Sequence, residues 1–328
     1  MLRWQIQQIK LELKYTWKIS RNSSDLKFNS IISVSNGKYN GIGEAAPNIR
    51  YNETPEIIVS EFQRFLKSGA EKISEIHELT TLLESLRLPN ALRFGIESAY
   101  IHFLCHADKT DIYTFLGIQK PLKVSTSFSL PIMDVSEIEK FYSENNLQRF
   151  ARLKVKVNAE NAFDLLAEMN RITKQPLMID GNETWTNPDD LLNFMKSISP
   201  FNIALIEQPL PSKMIDEYIY LKPKSPYKIF ADESICAHAD FTELRKQFDG
   251  INMKLMKAGG YLNGIYLLNE AVKHNMHTMV GCMVETTLGI SSAFFLCAGI
   301  EYVDLDGFLI IKDEPFKLLK EKDGMLMC

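Results

Sequence analysis

The sequence has no surplus of positive charge: 37 lysines and arginines stand against 41 aspartates and glutamates, a formal net charge of −4 over 328 residues. A basic footprint for nucleic acid and a polybasic signal for a membrane surface are both missing. No stretch approaches 18 uninterrupted apolar residues, so no transmembrane helix is expected. The opening MLRWQIQQIK alternates as a strand does and lacks the apolar core of a signal peptide. Cysteine is scarce. The five present (Cys105, Cys236, Cys282, Cys297 and Cys328) are odd in number, scattered and mostly inside apolar runs, which reads as reduced core residues in a cytoplasmic protein. Repeats of solenoid length are absent. With 45% hydrophobic and 24% charged residues, the chain is expected to be globular, one large domain plus a smaller one, with small solutes as partners.

What the sequence does have is a recurring unit. In Arg152-Leu153-Lys154-Val155-Lys156-Val157, strand alternation puts Lys154 and Lys156 on one face. Alone, such a pair reads most simply as a solvated sheet edge. It is followed, however, by LMID ending at Asp180, IALIE at Glu207, KIFADE at Asp232 and Glu233, INMK at Lys254, HTMVG at Gly281, and YVDLD at Asp304 and Asp306. Successive markers lie 22 to 27 residues apart. That is the period of a β/α unit, and polar groups at the C-terminal ends of successive parallel strands are how a β/α barrel builds its active site.

Around this core, residues 1 to about 46 read as antiparallel strands, with Asn36-Gly37 as a hairpin turn and Trp17 to Ser24 as a polar loop. Helical spacing follows over Pro55–Ser74, His77–Leu86 and Asn90–Ala107, so the first part is an α+β module. Asp111 to Lys120 reads as a linker, Leu122 to Leu130 as the first barrel strand, and the segment after Asp306 as packing back on the first module.

Asp180, Glu207 and Asp232 end consecutive strands, and three carboxylates that close repel unless a cation sits among them. With no His or Cys at ligand spacing, the oxygen set suits a hard ion such as Mg²⁺ better than zinc. Asn182 and Glu233 are candidates to orient these ligands. Lys254 lies across the mouth from Lys156, so two bases can take a proton from one face of a carbon and return one to the other. A nearby ammonium, Lys154, and a divalent cation both favour the neutral form a lysine base needs. Lys257 reads as a surface lysine. Asp304 and Asp306 share a face and suit a substrate ammonium group.

These motifs, together with NMKLMKAGG, the GCMVET run at 281–286 and GIGEAAP at 41–47, resemble the dipeptide epimerases of the enolase superfamily, muconate-lactonizing-enzyme subgroup, over almost the whole chain. The resemblance implies an α/β fold: a (β/α)7β TIM-like barrel over residues 116–308, an N-terminal α+β capping domain over 1–115, and a C-terminal segment, 309–328, completing the cap. It implies one Mg²⁺ (Mn²⁺ as the alternative) on Asp180, Glu207 and Asp232, with Lys156 and Lys254 exchanging the α-proton of a dipeptide's C-terminal residue and Lys154 assisting the enolate oxygen. Asp304 and Asp306 would hold the free α-amino group, and Cys282 and Met283 would touch substrate. Specificity would fall to loops 17–24 and 48–54. Arg21 is the candidate partner for a substrate side-chain carboxylate, with Arg50 or Lys18 as substitutes, while Trp17, Ile19, Ile49 and Tyr51 equally suit an apolar side chain. An acidic and a hydrophobic dipeptide both stay open, as does a homo-oligomer. The D-x-D pair distinguishes epimerases from o-succinylbenzoate synthase and muconate cycloisomerase, which remain the enzymatic alternatives; a peptide-binding barrel without catalysis is the alternative of another class.

Overall fold

The computed structural model describes residues 1–328. Alternating residues at the N-terminus form an antiparallel sheet of β1 (Arg3–Lys18), β2 (Ser23–Ser35) and β3 (Asn40–Ala45), in that order. The Asn36 side chain accepts hydrogen bonds from the amides of Lys38 and Tyr39, and Gly37, at φ 90°, supplies the left-handed turn residue. Helices α1 (Pro55–Leu66), α2 (Ile76–Leu86), α3 (Asn90–Asp108) and α4 (Ile112–Leu116) follow. The sheet lies on α3 so closely that a Cβ on Gly41 would come 2.1 Å from the Ala99 carbonyl oxygen, and one on Gly43 2.3 Å from that of Gly95. Only glycine permits that approach.

Two expectations for this module change. The polar stretch 17–24 is half strand: Trp17 pairs with Ser24 and Lys18 with Ser23, leaving Ile19–Asn22 as the turn. A register shift between Glu12 and Trp17 interrupts the alternation there, which hides the strand from a period-two reading. The linker 111–120 contains α4, capped by the Asp111 side chain on the amide of Thr114 and ended by Gly117 at φ 65°.

Next come β4 (Val124–Ser125), β5 (Phe128–Leu130), α5 (Ile138–Glu144), β6 (Leu153–Lys156), α6 (Ala162–Ile172), β7 (Leu177–Asp180), α7 (Pro188–Ser197), β8 (Ile203–Glu207), α8 (Ile215–Leu221), β9 (Ile229–Ala231), α9 (Phe241–Gln247), β10 (Gly250–Lys254), α10 (Leu255–Ala258), α11 (Tyr261–Lys273), β11 (His277–Gly281), α12 (Thr287–Phe295) and β12 (Tyr302–Asp304). Strands β5 to β12 make one eight-stranded parallel sheet in chain order, and the Ser127 amide, 2.9 Å from the Val303 carbonyl oxygen, joins its two ends. This is the expected (β/α)7β barrel. Inside it, Met178, Leu205, Phe230, Met279 and Tyr302 pack as an apolar floor. Two residues further along each strand, on the same inward face, stand Asp180, Glu207, Asp232, Gly281 and Asp304.

The first barrel strand is shorter than the sequence suggested, because Val124–Ser125 leaves the barrel. It pairs with a C-terminal hairpin of β13 (Lys320–Lys322) and β14 (Met325–Met327). The C-terminal segment therefore divides. Lys14 N donates to Ile310 O and Lys312 N to Glu12 O, which ties residues 310–312 to the cap sheet. The hairpin instead seals the N-terminal end of the barrel, where Arg149 and Glu321 pair at 2.9 Å. On the opposite side Glu44, at the end of β3, accepts from Asn29 Nδ2 (2.7 Å), Thr286 Oγ1 (2.6 Å) and Gly289 N (2.9 Å), docking the cap on the first turn of α12. No helix is long and apolar enough to cross a membrane.

Candidate active site

Strand register sets the site. Lys156, Asp180 and Glu207 are direct neighbours across β6, β7 and β8, and Lys254, Gly281 and Asp304 across β10, β11 and β12. Since β6 and β10 lie four places apart in a ring of eight, Lys156 and Lys254 rise from opposite walls.

Between the walls the charges interlock. Lys154 Nζ lies 2.8 Å from Asp304 Oδ2, 2.8 Å from Glu207 Oε2 and 3.3 Å from Asp180 Oδ2. Lys156 Nζ is 2.6 Å from Asp180 Oδ2 and 3.4 Å from Asn182 Oδ1. Lys254 Nζ is 2.9 Å from Asp232 Oδ2. Lys257, expected at the surface, is buried: α10 turns it back beneath the strand end, where it donates to Asp232 Oδ1 and the Asp232 carbonyl at 2.5 Å. A helical turn brings residues three apart to the same side, so Lys254 and Lys257 grip one carboxylate between them.

This pairing decides the protonation states. Burial disfavours the charged form of Lys154, but Asp180, Asp304 and Glu207 outweigh it and hold its pKa well above the usual lysine range. For Lys254, burial is likewise the largest single effect, but Asp232, Glu207 and Asp180 together outweigh it and raise the pKa. The charge of Lys154 does lower the Lys254 pKa, as expected, but the closer and more numerous carboxylates outweigh it; a divalent ion on those carboxylates would weaken their hold. Burial pushes Asp180 and Asp232 up, yet their lysine partners bring both below the ordinary carboxylate range. Glu207 goes the other way, to about 7, because burial and the charges of Asp180 and Asp232 exceed the pull of Lys154.

Asp180, Glu207 and Asp232 do not stand as a closed ligand cage; lysine ammonium groups are threaded among them. The donor set nevertheless fits a hard divalent ion. All three donors are carboxylates on adjacent strands, and the buried Glu207 Oε2 has Lys154 at ion-pair distance but receives no hydrogen bond.

On the other side of the mouth, Asp304 is already engaged. Its Oδ1 accepts from Ser127 Oγ at 2.6 Å and its Oδ2 from Lys154. Asp306 accepts the Ser129 amide at 2.5 Å, and burial together with Asp304 raises its pKa to about 7. The pair reaches the cavity one countercharge short, which an arriving ammonium group would supply. Cys282 Sγ rests 3.3 Å from the Asp304 carbonyl oxygen, and Met283 N donates to Glu285 Oε1 at 2.7 Å. Burial and the neighbouring Glu44 raise the Glu285 pKa to about 8. The walls and the cap enclose a cavity of about 560 Å³, which Cys282, Met283, Asp306, Trp17 and Tyr51 all line. That volume is in the range of small-ligand sites.

At the cap rim the candidate partner for a substrate carboxylate is already paired. Arg21 reaches the cavity but is not a free cation: Nη1 donates to Glu183 Oε2 at 2.8 Å and to the Asn182 carbonyl at 3.0 Å, and Nη2 to Glu233 Oε1 at 2.6 Å. Arg50, the substitute candidate, is held by Glu183 through Nε (2.8 Å) and Nη2 (2.9 Å). Glu183 was invisible as a functional residue in the sequence; its one signal is an acidic group three positions after Asp180, at a strand end. Asn182 and Glu183 both adopt the left-handed region, φ 42° and 67°, which costs non-glycine residues about 1–3 kcal/mol each. Asn182 also donates to Glu233 at 3.4 Å, so the two residues expected to support the ligands touch each other, Lys156 and Arg21.

Comparison with known proteins agrees with this geometry. Residues 137–310 match the enolase C-terminal domain-like family. An L-Ala-D/L-amino acid epimerase of Pedosphaera parvula is 30% identical over 96% of this chain and 93% of its own. An N-acetyl-D-glutamate racemase from a Pseudoalteromonas species is 34% identical over 86% and 88%. Among solved structures, an Agrobacterium tumefaciens enolase family member with homology to dipeptide epimerases, holding sodium and L-Ala-L-Glu, superposes with a TM-score of 0.90 at 25% identity, covering 99% of this chain and 97% of the other. The Enterococcus faecalis dipeptide epimerase in complex with Mg and L-Leu-L-Tyr gives 0.87 at 22%, covering 98% and 95%. The protein belongs to the enolase C-terminal domain-like family, within the enolase superfamily.

Proposed function

We propose that the protein is a Mg²⁺-dependent dipeptide epimerase that inverts the α-carbon of the C-terminal residue. The observation that carries this reading is the pair Lys156 and Lys254 on opposite barrel walls, beside one set of metal-type carboxylates. One lysine, neutral, takes the α-proton while the other, as ammonium, delivers a proton to the opposite face; in the reverse direction they exchange roles. Lys154, held between Glu207 and Asp304, donates to the oxygen on which charge develops. Mg²⁺ held by Asp180, Glu207 and Asp232 would, when bound, supply positive charge to the substrate carboxylate and so make the α-proton acidic enough for an amine. The relatives named for dipeptide epimerisation, and the complex of one of them with Mg and a dipeptide, support both ion and substrate. Asp306, with Asp304 beside it, receives the substrate's α-ammonium group. The five unpaired cysteines support a cytoplasmic location.

A second reading, racemisation of an N-acylated amino acid, uses the same lysines and is favoured by one observation: the relative named as an N-acetyl-D-glutamate racemase is 34% identical over 86% of this chain. Proton NMR in deuterated buffer with Mg²⁺ tests both. Loss of the α-proton signal of the C-terminal residue of L,L-dipeptides, with growth of a diastereomer, is the expected result. Exchange confined to N-acetyl amino acids would overturn the dipeptide reading in favour of the second, and silence from both substrate sets would end both.

A further inference from the structure

Resting on the epimerase reading, we propose that Glu183 is a positioning residue that fixes both rim turns of the cap over the bound dipeptide. It is the one carboxylate that both turns share: Arg21 comes from the β1–β2 turn, Arg50 from the turn after β3, and Glu183 from the loop after β7. Arg50 binds it as a two-pronged fork, Arg21 through Nη1, and the Ser212 amide donates to Oε1 at 2.8 Å. The carboxylate side chain is only 10% exposed. Burial raises its pKa, but the Arg50 hydrogen bonds and the charges of both arginines exceed that effect and keep it ionised.

The backbone is arranged for this contact. With Asn182 and Glu183 both left-handed, the Asn182 carbonyl meets Ser20 Oγ at 3.0 Å and Arg21 Nη1 at 3.0 Å, while the next side chain rises between the two guanidinium groups. Two cations approach one anion here. If the anion is neutralised, the arginines face each other with no shared countercharge, Arg21 held only by Glu233 and the Asn182 carbonyl. Ile19 and Tyr51, which line the cavity from the same two turns, and Trp17 at the end of β1 beside them then lose their fixed positions above the substrate. Glu183 reaches the reacting atoms only through these groups, so its loss acts on binding more than on proton transfer.

The nearly isosteric substitution Glu183→Gln tests this in two ways. Hydrogen exchange followed by mass spectrometry on the substrate-free protein should show residues 17–24 and 48–54 exchanging about tenfold faster or more, with α3 and the barrel strands unchanged. With a dipeptide substrate, KM should rise about tenfold while kcat changes by less than about threefold. Arg50→Met should loosen 48–54 similarly and add little when combined with Glu183→Gln. Unchanged exchange in both turns, a fall in kcat at constant KM, or full additivity of the two substitutions would each overturn the proposal. If Glu183→Gln does not fold, Arg50→Met and Arg21→Met carry the exchange measurement from the cap side. Because that measurement needs no substrate, its failure is separable from failure of the epimerase reading.

Discussion

The barrel wall and the cap rim enclose the same cavity, yet they hold their charges by different means. On the wall each group is fixed by strand register: Lys156, Asp180 and Glu207 align because their strands do, above a packed floor that includes Met178, Leu205 and Phe230. On the rim, Arg21 and Arg50 sit in turns, and a carboxylate 162 and 133 positions away determines where they point. The wall is preorganised by covalent order and hydrogen-bonded ladders. The rim is organised by a few ion pairs between modules, centred on Glu183, so it can respond to what enters.

This contrast predicts a gradient of effects. The largest belongs to the wall. Lys156→Ala and Lys254→Ala should each lower epimerisation by about 10²–10⁴-fold or more, while each single variant can still exchange the α-proton of one epimer with solvent deuterium. Undiminished epimerisation in either variant would dismantle the two-base scheme. An intermediate effect belongs to Asp306. Asp306→Asn should cut kcat/KM for a free dipeptide about 10–100-fold and leave an N-acetylated analogue nearly unaffected. Equal losses for both substrates would show that the residue does not read the ammonium group.

The smallest effect belongs to Glu285, beneath Met283. Its folded pKa, about 8, exceeds the unfolded value of about 4.3. Between these values the folded protein keeps a proton that the unfolded chain has released, so this group's contribution to stability is full at low pH and declines as pH rises toward 8. Glu285→Gln removes that decline. Denaturant titrations at pH 5 and pH 8 should show a smaller pH dependence in the variant than in the parent, and identical dependence would contradict the assignment.

The same contrast explains what could be read from the sequence. Lys154, Asp180, Glu207, Asp232 and Asp304 were legible because each follows a short apolar run at a regular interval, and periodicity is a local property. Lys257 was misread as exposed because nothing local shows that α10 folds it under Asp232. Arg21 stands out in the sequence as a candidate, but its pairing with Glu183 does not: an ion pair joining the cap to the barrel leaves no periodic trace. The strand around Trp17 was missed for a different reason, since the irregularity between Glu12 and Trp17 erases the alternation that would have revealed it. The division of the C-terminal segment followed from pairings that only the folded topology defines.

That division bears on how the molecule is assembled. Met325 pairs with Ser125, 200 positions earlier, immediately before the strand that opens the barrel. Bringing such distant segments together carries a loop-closure cost that later contacts must repay, and topologies dominated by distant pairings fold slowly. During synthesis the first barrel strand emerges long before its sealing partner, so Val124, paired with Leu326 in the finished fold, stays uncovered at this end of the barrel until the hairpin arrives.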